Sequence, residues 1–304
     1  MDIKTQLQHT PEVKGFFDPR TFTISYVVAD PKTKHCAIID SVVDFNLESG
    51  SLTYTGADAM IGYVTDQGYT VQWILETHMH ADHLSAAPYL KNKLGGKSAI
   101  GEHVNDVLSL YSNAFNSGAD YDSELAAFDE LWKDGDTFSI GTIPVTVWYT
   151  PGHTPADVVY IIGDAVFAGD TMFMPDFGSA RCDFPGGSAD SLFDNRTRLF
   201  TLPEEMRMFM CHDYLPEGRT EYQWETTIGA QKRGNIHLKE GVQKTDFVSM
   251  RNARDKTLSI PKLMIPSIQV NIRAGALPPA ESDGNQYLKI PINGIFSTVR
   301  KNKN

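Results

Sequence analysis

Three histidines and one aspartate lie within six residues of one another, at positions 78–83 of the chain. They follow an apolar run at 71–75, which is typical of a buried strand. The loop after such a strand is where α/β enzymes commonly hold their chemical groups. Protonated imidazoles this close together would repel one another, and buried imidazoles without partners would carry a desolvation cost. A bound cation removes both penalties, so this histidine loop (residues 77–83) predicts a metal site.

Three further predicted strands end in residues of the same kind. The run at 143–149 leads into a loop containing His153, the run at 165–168 ends in Gly169-Asp170, and the run at 206–211 ends in His212. Together with the histidine loop, the candidate ligands are His78, His80, Asp82, His83, His153, Asp170 and His212. Histidine and aspartate without cysteine suit zinc, iron(II), manganese or nickel. Seven ligands exceed what one tetrahedral zinc needs, so the pattern allows two metals bridged by Asp170, or one metal with the other groups behind its ligands.

The chain carries an excess of acidic residues. Its 304 residues include 27 Lys and Arg against 38 Asp and Glu, giving a formal charge of −11. Nucleic acids and anionic membranes require a basic surface, so neither is an expected partner. No apolar run approaches the roughly 20 residues that span a bilayer, and the first residues lack the apolar core of a signal peptide. The three cysteines form no close pair, which favours reduced thiols, and we expect a cytoplasmic enzyme.

The remaining pattern predicts both strands and helices. Residues 22–29 and 36–39 predict a hairpin around a turn-rich segment, and further strands are predicted at 138–141 and 158–162. Helices are predicted at 57–67 with Thr55 as a possible cap, from Ser85 to about 94, over most of 103–132 with a break near Gly118, after Ser188, beyond 221 to about 233, and near 245–255.

We divide the chain into a catalytic domain, residues 1–235, and a carboxyl-terminal arm, residues 236–304. The arm has many prolines and little apolar periodicity, so by itself it would bury little surface. We therefore expect it to pack on the catalytic domain or to join a subunit interface. The long loop at 174–187 has no predicted secondary structure of its own, which is typical of a binding loop.

The order of these motifs resembles the signature of the metallo-β-lactamase superfamily. The motifs that carry the resemblance are His78-Met79-His80-Ala81-Asp82-His83, Gly152-His153, Gly169-Asp170 and His212. The resemblance covers roughly residues 20–215. It implies an α+β fold, the αββα sandwich, in which two mixed sheets lie face to face with helices outside and the metal lies at one sheet edge.

Within this superfamily, the segment at 178–184 and the Pro-Gly-Gly after it resemble the corresponding loop of the persulfide dioxygenases, also called sulfur dioxygenases. That family is similar to glyoxalase II in fold, binds a single iron and oxidises glutathione persulfide with O2 to sulfite. The resemblance implies one Fe(II) per chain, held by His78, His153 and Asp170. The other ligand-type residues would then act in catalysis by orienting water and oxygen; they are His80, Asp82, His83 and His212.

The same loop supplies candidate substrate-binding residues. The planar guanidinium of Arg181 suits a glutathione carboxylate, and Asp183 and Tyr214 are further candidates. The alternatives are that Arg181 pairs with Asp183 and stiffens the loop, and that Tyr214 only packs. We interpret Cys182 as a reduced thiol that fills a gap.

Two other functions remain open from the sequence. In a dinuclear zinc hydrolase of the glyoxalase II or lactonase kind, Asp170 would bridge the metals, Asp82, His83 and His212 would hold the second metal, and His80 would join the first site. One or two Zn(II) would then replace Fe(II). A purely structural metal is disfavoured because the ligands are in surplus. The expected partners are glutathione persulfide or a similar small thiol and O2, and a homodimer is expected by analogy with the family.

Overall fold

Two six-stranded sheets form the centre of the fold. The computed structural model describes residues 3–111, 115, 127–292 and 294. The first sheet has the order β1 (Glu12–Asp18), β2 (Thr23–Ala29), β3 (His35–Ile39), β6 (Thr70–Leu75), β8 (Lys97–Gly101) and β9 (Glu130–Trp132). The second sheet has the order β10 (Thr137–Ile140), β11 (Ile143–Tyr149), β12 (Val158–Ile162), β13 (Ala165–Phe167), β14 (Arg207–Phe209) and β15 (Glu225–Thr227). A small third sheet has the order β5 (Leu52–Thr53), β4 (Val42–Phe45) and β7 (Leu84–Ser85).

Both large sheets are mixed. In the first sheet β1, β2 and β3 pair antiparallel, whereas β3, β6, β8 and β9 pair in parallel. In the second sheet every pairing is antiparallel except that of β13 with β14. The predicted hairpin is confirmed, because β2 pairs antiparallel with β3 and places Tyr26 opposite Ile39.

The two sheets bury a shared apolar layer. Along β2 the side chains alternate, so that Ile24, Tyr26 and Val28 enter the layer shared with β11 and β12 of the second sheet, while Val27 and Ala29 face outward. Burying one such large side chain contributes about 1.5–3 kcal/mol. The period of two along β2 therefore fixes which sheet face meets the other sheet.

Helices cover both outer faces. The helices of the described residues are α1 (Ile3–Gln6), α2 (Thr55–Asp66), α3 (Ala87–Leu94), α4 (Val104–Tyr111), α5 (Ala189–Leu199), α6 (Ile228–Gly234), α7 (Lys244–Asp255) and α8 (Met264–Asn271). Helices α2 and α3 pack on the outer face of the first sheet, and α5 and α7 on that of the second. The predicted αββα sandwich is thus confirmed.

Several predicted element boundaries are wrong. In the described part of residues 103–132, Val104–Tyr111 forms α4 as predicted, but the carboxyl-terminal end is not helical. Residues 130–132 form β9, which pairs with β8 as an edge strand, a tertiary contact that local periodicity does not reveal. The predicted break near Gly118 lies outside the described residues. Helix α6 begins seven residues after the predicted start at 221, since β15 precedes it.

Of the predicted caps, one is confirmed. Ser188 caps α5 by accepting a hydrogen bond from the Ser191 amide. Thr55 is the first residue of α2 and gives no capping bond, and Ser85 lies in β7, although its hydroxyl still accepts from the Ala87 amide at 3.1 Å.

The arm contributes two helices to the sandwich. Helix α7 packs beside α5, whereas α8 packs under the histidine loop with Met79 and Ala81. Among the described residues, no helix combines the length and hydrophobicity needed to cross a bilayer. The domain boundary at 235 and the homodimer stay predictions.

Candidate metal centre

Four strand ends bring the predicted ligands together. The histidine loop follows β6, His153 follows β11, Asp170 lies in a 3-10 turn (Gly169–Thr171) after β13, and His212 follows β14. Asp170 lies between two histidines, with Oδ2 at 3.5 Å from Nε2 of His153 and Oδ1 at 3.5 Å from Nε2 of His212. The carboxylate therefore faces a group of potential ligands on each side.

Two glycines allow the strands to approach at this point. Gly169 has a φ of +51°, and a Cβ there would lie 2.8 Å from Cβ of Thr77. A Cβ on Gly152 would lie 2.7 Å from Cα of Leu192 in α5. Both distances are far below van der Waals contact, so the residues before His153 and Asp170 have to be glycine.

The first ligand set comprises His78, His153 and Asp170, whose ligand atoms lie within 4.8 Å of one another. The outer nitrogens of the two rings are held: Nδ1 of His78 lies 3.0 Å from Oγ1 of Thr77, and Nδ1 of His153 lies 2.8 Å from the carbonyl oxygen of Arg181. Burial and the neighbouring imidazoles lower the pKa of His78 well below its usual range. The ring is therefore neutral, the form that binds a metal.

The second ligand set comprises Asp82, His83 and His212. Its outer contacts are longer: Nδ1 of His83 lies 3.3 Å from the carbonyl oxygen of Leu84, and Nδ1 of His212 lies 3.2 Å from that of Phe22. Oδ2 of Asp82 lies 3.4 Å from Nε2 of His212. Burial, followed by the charge of His80, lowers the pKa of His83 to about 4, so this ring is also neutral.

His80 is held by two carboxylates that the sequence reasoning missed. Its Nε2 lies 3.0 Å from Oδ1 of Asp40 and 3.2 Å from Oε2 of Glu76, and all three side chains are buried. Although burial opposes the cation, the Asp40 and Glu76 carboxylates raise the pKa of His80 well above its usual range. Asp40 directly follows β3, which pairs in parallel with β6, and this shared sheet edge was the signal that could have found it.

The donor set fits a metal ion. At this centre, four buried ligand-type atoms have no hydrogen-bond partner among the described residues, namely Nε2 of His78, Nε2 of His83, Oδ1 of Asp170 and Nε2 of His212. Buried polar atoms are normally paired, so their concentration in one place is costly unless a cation binds there. Imidazole and carboxylate donors suit zinc and iron(II), and the ring contacts described above are the outer support that metal ligands usually have.

A cavity of about 690 Å³ opens beside the centre. Its wall includes Phe173, Phe177 and Tyr214, and the Tyr214 ring stacks on His212 at 5.5 Å between centroids. The wall is therefore largely aromatic next to the ligands. Such a concave, partly apolar space is typical of a small-molecule site.

The predicted substrate residue Arg181 lines this cavity and is already paired. Its Nε and Nη2 donate to the two carboxylate oxygens of Asp183 at 2.6 and 2.8 Å, and Nη1 donates to the carbonyl oxygen of Ser259. Arg254 and Lys262 also line the cavity, and no hydrogen bond or ion pair of their side chains is found within the described part of the chain. The arm thus brings cations that the sequence reasoning did not single out.

The cysteines lie in the interior. Burial raises the pKa of the Cys182 thiol well above its usual range, and its side chain packs with the core on the outer face of the second sheet. Cys211 is buried beside His212, and its Sγ lies 3.6 Å from Oδ2 of Asp40. The burial of Cys182 and Cys211 is consistent with reduced thiols that fill space in the protein interior.

Comparison with known proteins places these features in one family. The sequence model described as the metallo-beta-lactamase superfamily matches residues 19–212. The chain is 48% identical over 293 residues to a protein of Burkholderia pseudomallei named "Probable metallo-hydrolase", covering 93% of this chain and 99% of that protein. It is 44% identical over 295 residues to a Dictyostelium discoideum protein named "Glyoxylase B2", covering 96% and 99%.

More distant similarity extends to a dioxygenase. The chain is 24% identical to the mitochondrial persulfide dioxygenase ETHE1 of Bos taurus, covering 84% of this chain and 89% of that protein. A solved structure of ETHE1 from Myxococcus xanthus superposes with a TM-score of 0.68 at 28% identity, covering 87% of this chain and 99% of that one. The more similar relatives thus have hydrolase and glyoxylase names, and the dioxygenase name comes from lower identity.

Proposed function

This chain belongs to the metallo-beta-lactamase superfamily, and we propose that within it the protein oxidises glutathione persulfide with O2 at one iron(II). The observation that carries the proposal is the difference between the two ligand sets. His78, His153 and Asp170 form a compact group of two histidines and one carboxylate with short outer contacts. Two histidines and one carboxylate with open positions are the usual ligand set of non-haem iron(II) oxygenases.

The reaction converts one persulfide, one O2 and one water into glutathione, sulfite and two protons. Bound iron(II) would supply open positions for both the persulfide sulfur and dioxygen. Holding the two reactants next to each other raises the rate of their reaction. The chain's own groups would hold the metal with the first ligand set and orient water and oxygen with Asp82 and His212, which line the cavity. The aromatic wall would exclude bulk water from the same space.

Recognition of the substrate would depend on local cations, because the chain as a whole is acidic. Glutathione carries two carboxylates and one amino group. Arg254 and Lys262 are cavity-lining cations without a side-chain partner in the described ranges, and Arg181 retains free N–H groups beyond its bonds to Asp183 and Ser259. We assign the glutathione carboxylates to these side chains, with Asp183 positioning Arg181 and Tyr214 packing against the thiol end.

A second candidate is a dinuclear zinc hydrolase of the glyoxalase II or lactonase type. The names of the more similar relatives favour it, and so does Asp170, whose two oxygens face opposite ligand sets at 3.5 Å each. Here Asp82, His83 and His212 would hold a second zinc and His80 would join the first. Two zinc ions would supply an activated water for attack on a thioester or lactone.

One experiment separates the two candidates. The purified chain is stripped of metal, and equal samples are reloaded with Fe(II) or Zn(II), because zinc can displace iron from such a site during production. Metal content, oxygen uptake with glutathione persulfide, and hydrolysis of a glutathione thioester are then measured on both. About one iron per chain with oxygen consumption supports the dioxygenase, whereas two zinc ions per chain with hydrolysis and no oxygen uptake overturn it.

A further inference from the structure

One buried side chain of the arm makes three hydrogen bonds to the histidine loop and the strand after it. Nδ2 of Asn271 donates to the carbonyl oxygens of His80 and His83, both at 2.8 Å. Oδ1 of the same side chain accepts a bond from the Ser85 amide at 2.9 Å. Asn271 is 5% exposed and lies at the end of α8, almost two hundred residues away in sequence.

These bonds reach the part of the chain whose rings face the centre. His80 and His83 lie between β6 and β7, where no regular strand or helix holds the backbone. A buried carbonyl without a donor is destabilising, so the two bonds from the Asn271 amide stabilise this conformation of the loop. Apolar contacts act in the same direction, because Met264 and Ile268 of α8 pack with Met79 and Ala81.

Two side chains from distant parts of the chain therefore hold the histidine loop, namely Asp40 and Asn271. Asp40, the residue after β3, accepts bonds from the Thr77 amide at 2.8 Å and the Thr77 hydroxyl at 2.9 Å, and it contacts the His80 ring. Asn271 holds the backbone on the side of the arm. Groups bonded directly to metal ligands typically change metal affinity about 10–100-fold when removed. Asn271 acts through the backbone of His80 and His83, in the same loop as the ligand His78.

We propose that Asn271 is a positioning residue for the metal centre, and that metal binding and the docking of α8 are thermodynamically linked through it. Holding the loop in its ligand geometry before the metal arrives lowers the cost of binding. By linkage, a bound metal then stabilises the contact of α8 with the loop. The inference rests on metal binding at this centre, and it holds whether the substrate is a persulfide or a thioester.

Helix α8 offers a matched control. Gln269 is 3% exposed, and its amide bonds with the carbonyl oxygen of Ile265 at 2.9 Å and with the backbone of Lys289 at 2.8 Å. Its side chain makes no hydrogen bond to the histidine loop within the described residues. Gln269→Ala thus removes a buried amide from the same helix but leaves the loop contacts in place.

The test measures zinc affinity without any substrate. Asn271→Ala, Asn271→Asp and Gln269→Ala are stripped of metal, and the dissociation constant for Zn(II) is measured by competition with a chelator. Asn271→Asp retains an acceptor for the Ser85 amide but loses both donors. We expect zinc binding to be about 10–100-fold weaker in both Asn271 variants and less than about 3-fold weaker in Gln269→Ala. The metal-free variants should all lose a similar amount of Tm. Equal zinc affinities across the three variants would overturn the proposal.

The linkage can also be tested on the wild-type protein, where the folding of a variant is not a concern. Amide hydrogen exchange of Ser85 and of residues 264–275 is compared between the metal-free and the zinc-loaded protein. We expect slower exchange in both segments when zinc is bound, and unchanged exchange in α8 would contradict the linkage. Because no substrate is present, failure here is distinct from failure of the proposed reaction.

Discussion

The two ligand sets on either side of Asp170 differ in how firmly the rest of the protein holds them. In the first set, the outer nitrogens of His78 and His153 have partners at 3.0 and 2.8 Å. In the second set, those of His83 and His212 have partners at 3.3 and 3.2 Å. Hydrogen bonds to ring nitrogens weaken toward the longer end of this range. The first set is therefore the better prepared to bind a metal.

The exposure of the two carboxylates differs in the same sense. The Asp82 side chain is 24% exposed, compared with 7% for Asp170, whereas the histidines of both sets are buried. An exposed carboxylate keeps more freedom and more water than a buried one, so fixing it on a metal costs more. Ligand-type residues of one motif are therefore not equivalent as metal ligands. They differ in the hydrogen bonds of their outer ring nitrogens and in the exposure of their carboxylates.

The largest effect is expected for His153→Ala. It removes one ligand of the first set and leaves the Arg181 carbonyl without its ring partner. We expect iron or zinc affinity to fall by more than about 100-fold, beyond the usual loss for an outer contact. Metal analysis and chelator competition measure this, with His103→Ala as the control because His103 pairs with Asp106 outside the centre. Metal binding near the wild-type level in His153→Ala would show that the first ligand set is not the one that binds the metal.

A pair of threonine variants tests the outer contacts directly. Thr77→Val removes the hydroxyl 3.0 Å from Nδ1 of His78, and Thr23→Val removes the hydroxyl 3.4 Å from Oδ2 of Asp82. Both threonines are buried and the replacement has the same shape. We expect about 10-fold weaker metal binding for Thr77→Val and less than about 2-fold for Thr23→Val. The reverse order would show that the second set is the one that binds.

Arg181→Leu separates the backbone of this residue from its side chain. The carbonyl that holds His153 stays in the variant, whereas the guanidinium in the cavity wall is lost. We expect unchanged metal content and a KM raised about 5-fold or more, as expected when a charge-assisted contact is lost. Arg254→Ala should raise KM similarly, and Lys256→Ala is the control because Lys256 does not line the cavity.

The KM of each variant is measured by steady-state kinetics on samples of known metal content. Unchanged KM values would exclude Arg181 and Arg254 from the substrate site.

The smallest effect is expected for His212→Ala if one metal binds. His212 belongs to the second set, so iron content should stay within about 2-fold of one per chain while turnover falls because oxygen and water lose an orienting group. In a dinuclear centre the same variant would lose one of two metals. Counting metals per chain before and after the substitution decides which description holds.

Much of this centre could be predicted from sequence, because its residues follow strands whose apolar runs are strong local signals. The strands before His153 and Asp170 form as expected, and all seven candidate ligands come from the predicted strand ends. The hairpin of β2 and β3 was predictable for the same reason. Local periodicity and position after a strand were sufficient for these features.

The supports of the centre were not predictable in this way. Asp40 and Glu76 hold His80 because β3 and β6 pair in parallel, and Asn271 reaches the loop because α8 packs on it. These contacts depend on how elements pack, which no period in the sequence encodes. The prediction of helix at residues 130–132 is wrong for the same reason, because pairing with β8 rather than local propensity makes this segment strand β9.

The glycines before His153 and Asp170 also limit how the enzyme could be re-engineered. A side chain at 152 would meet the backbone of α5, and one at 169 would meet Thr77 in a conformation that favours glycine. In a selection for new substrate preference, libraries that vary these two positions would consist almost wholly of inactive clones. Diversity is better placed in the cavity wall, at residues such as Phe177, Arg254 or Lys262. The backbone next to the metal ligands thus has to stay constant, whereas the cavity wall of the same site can vary.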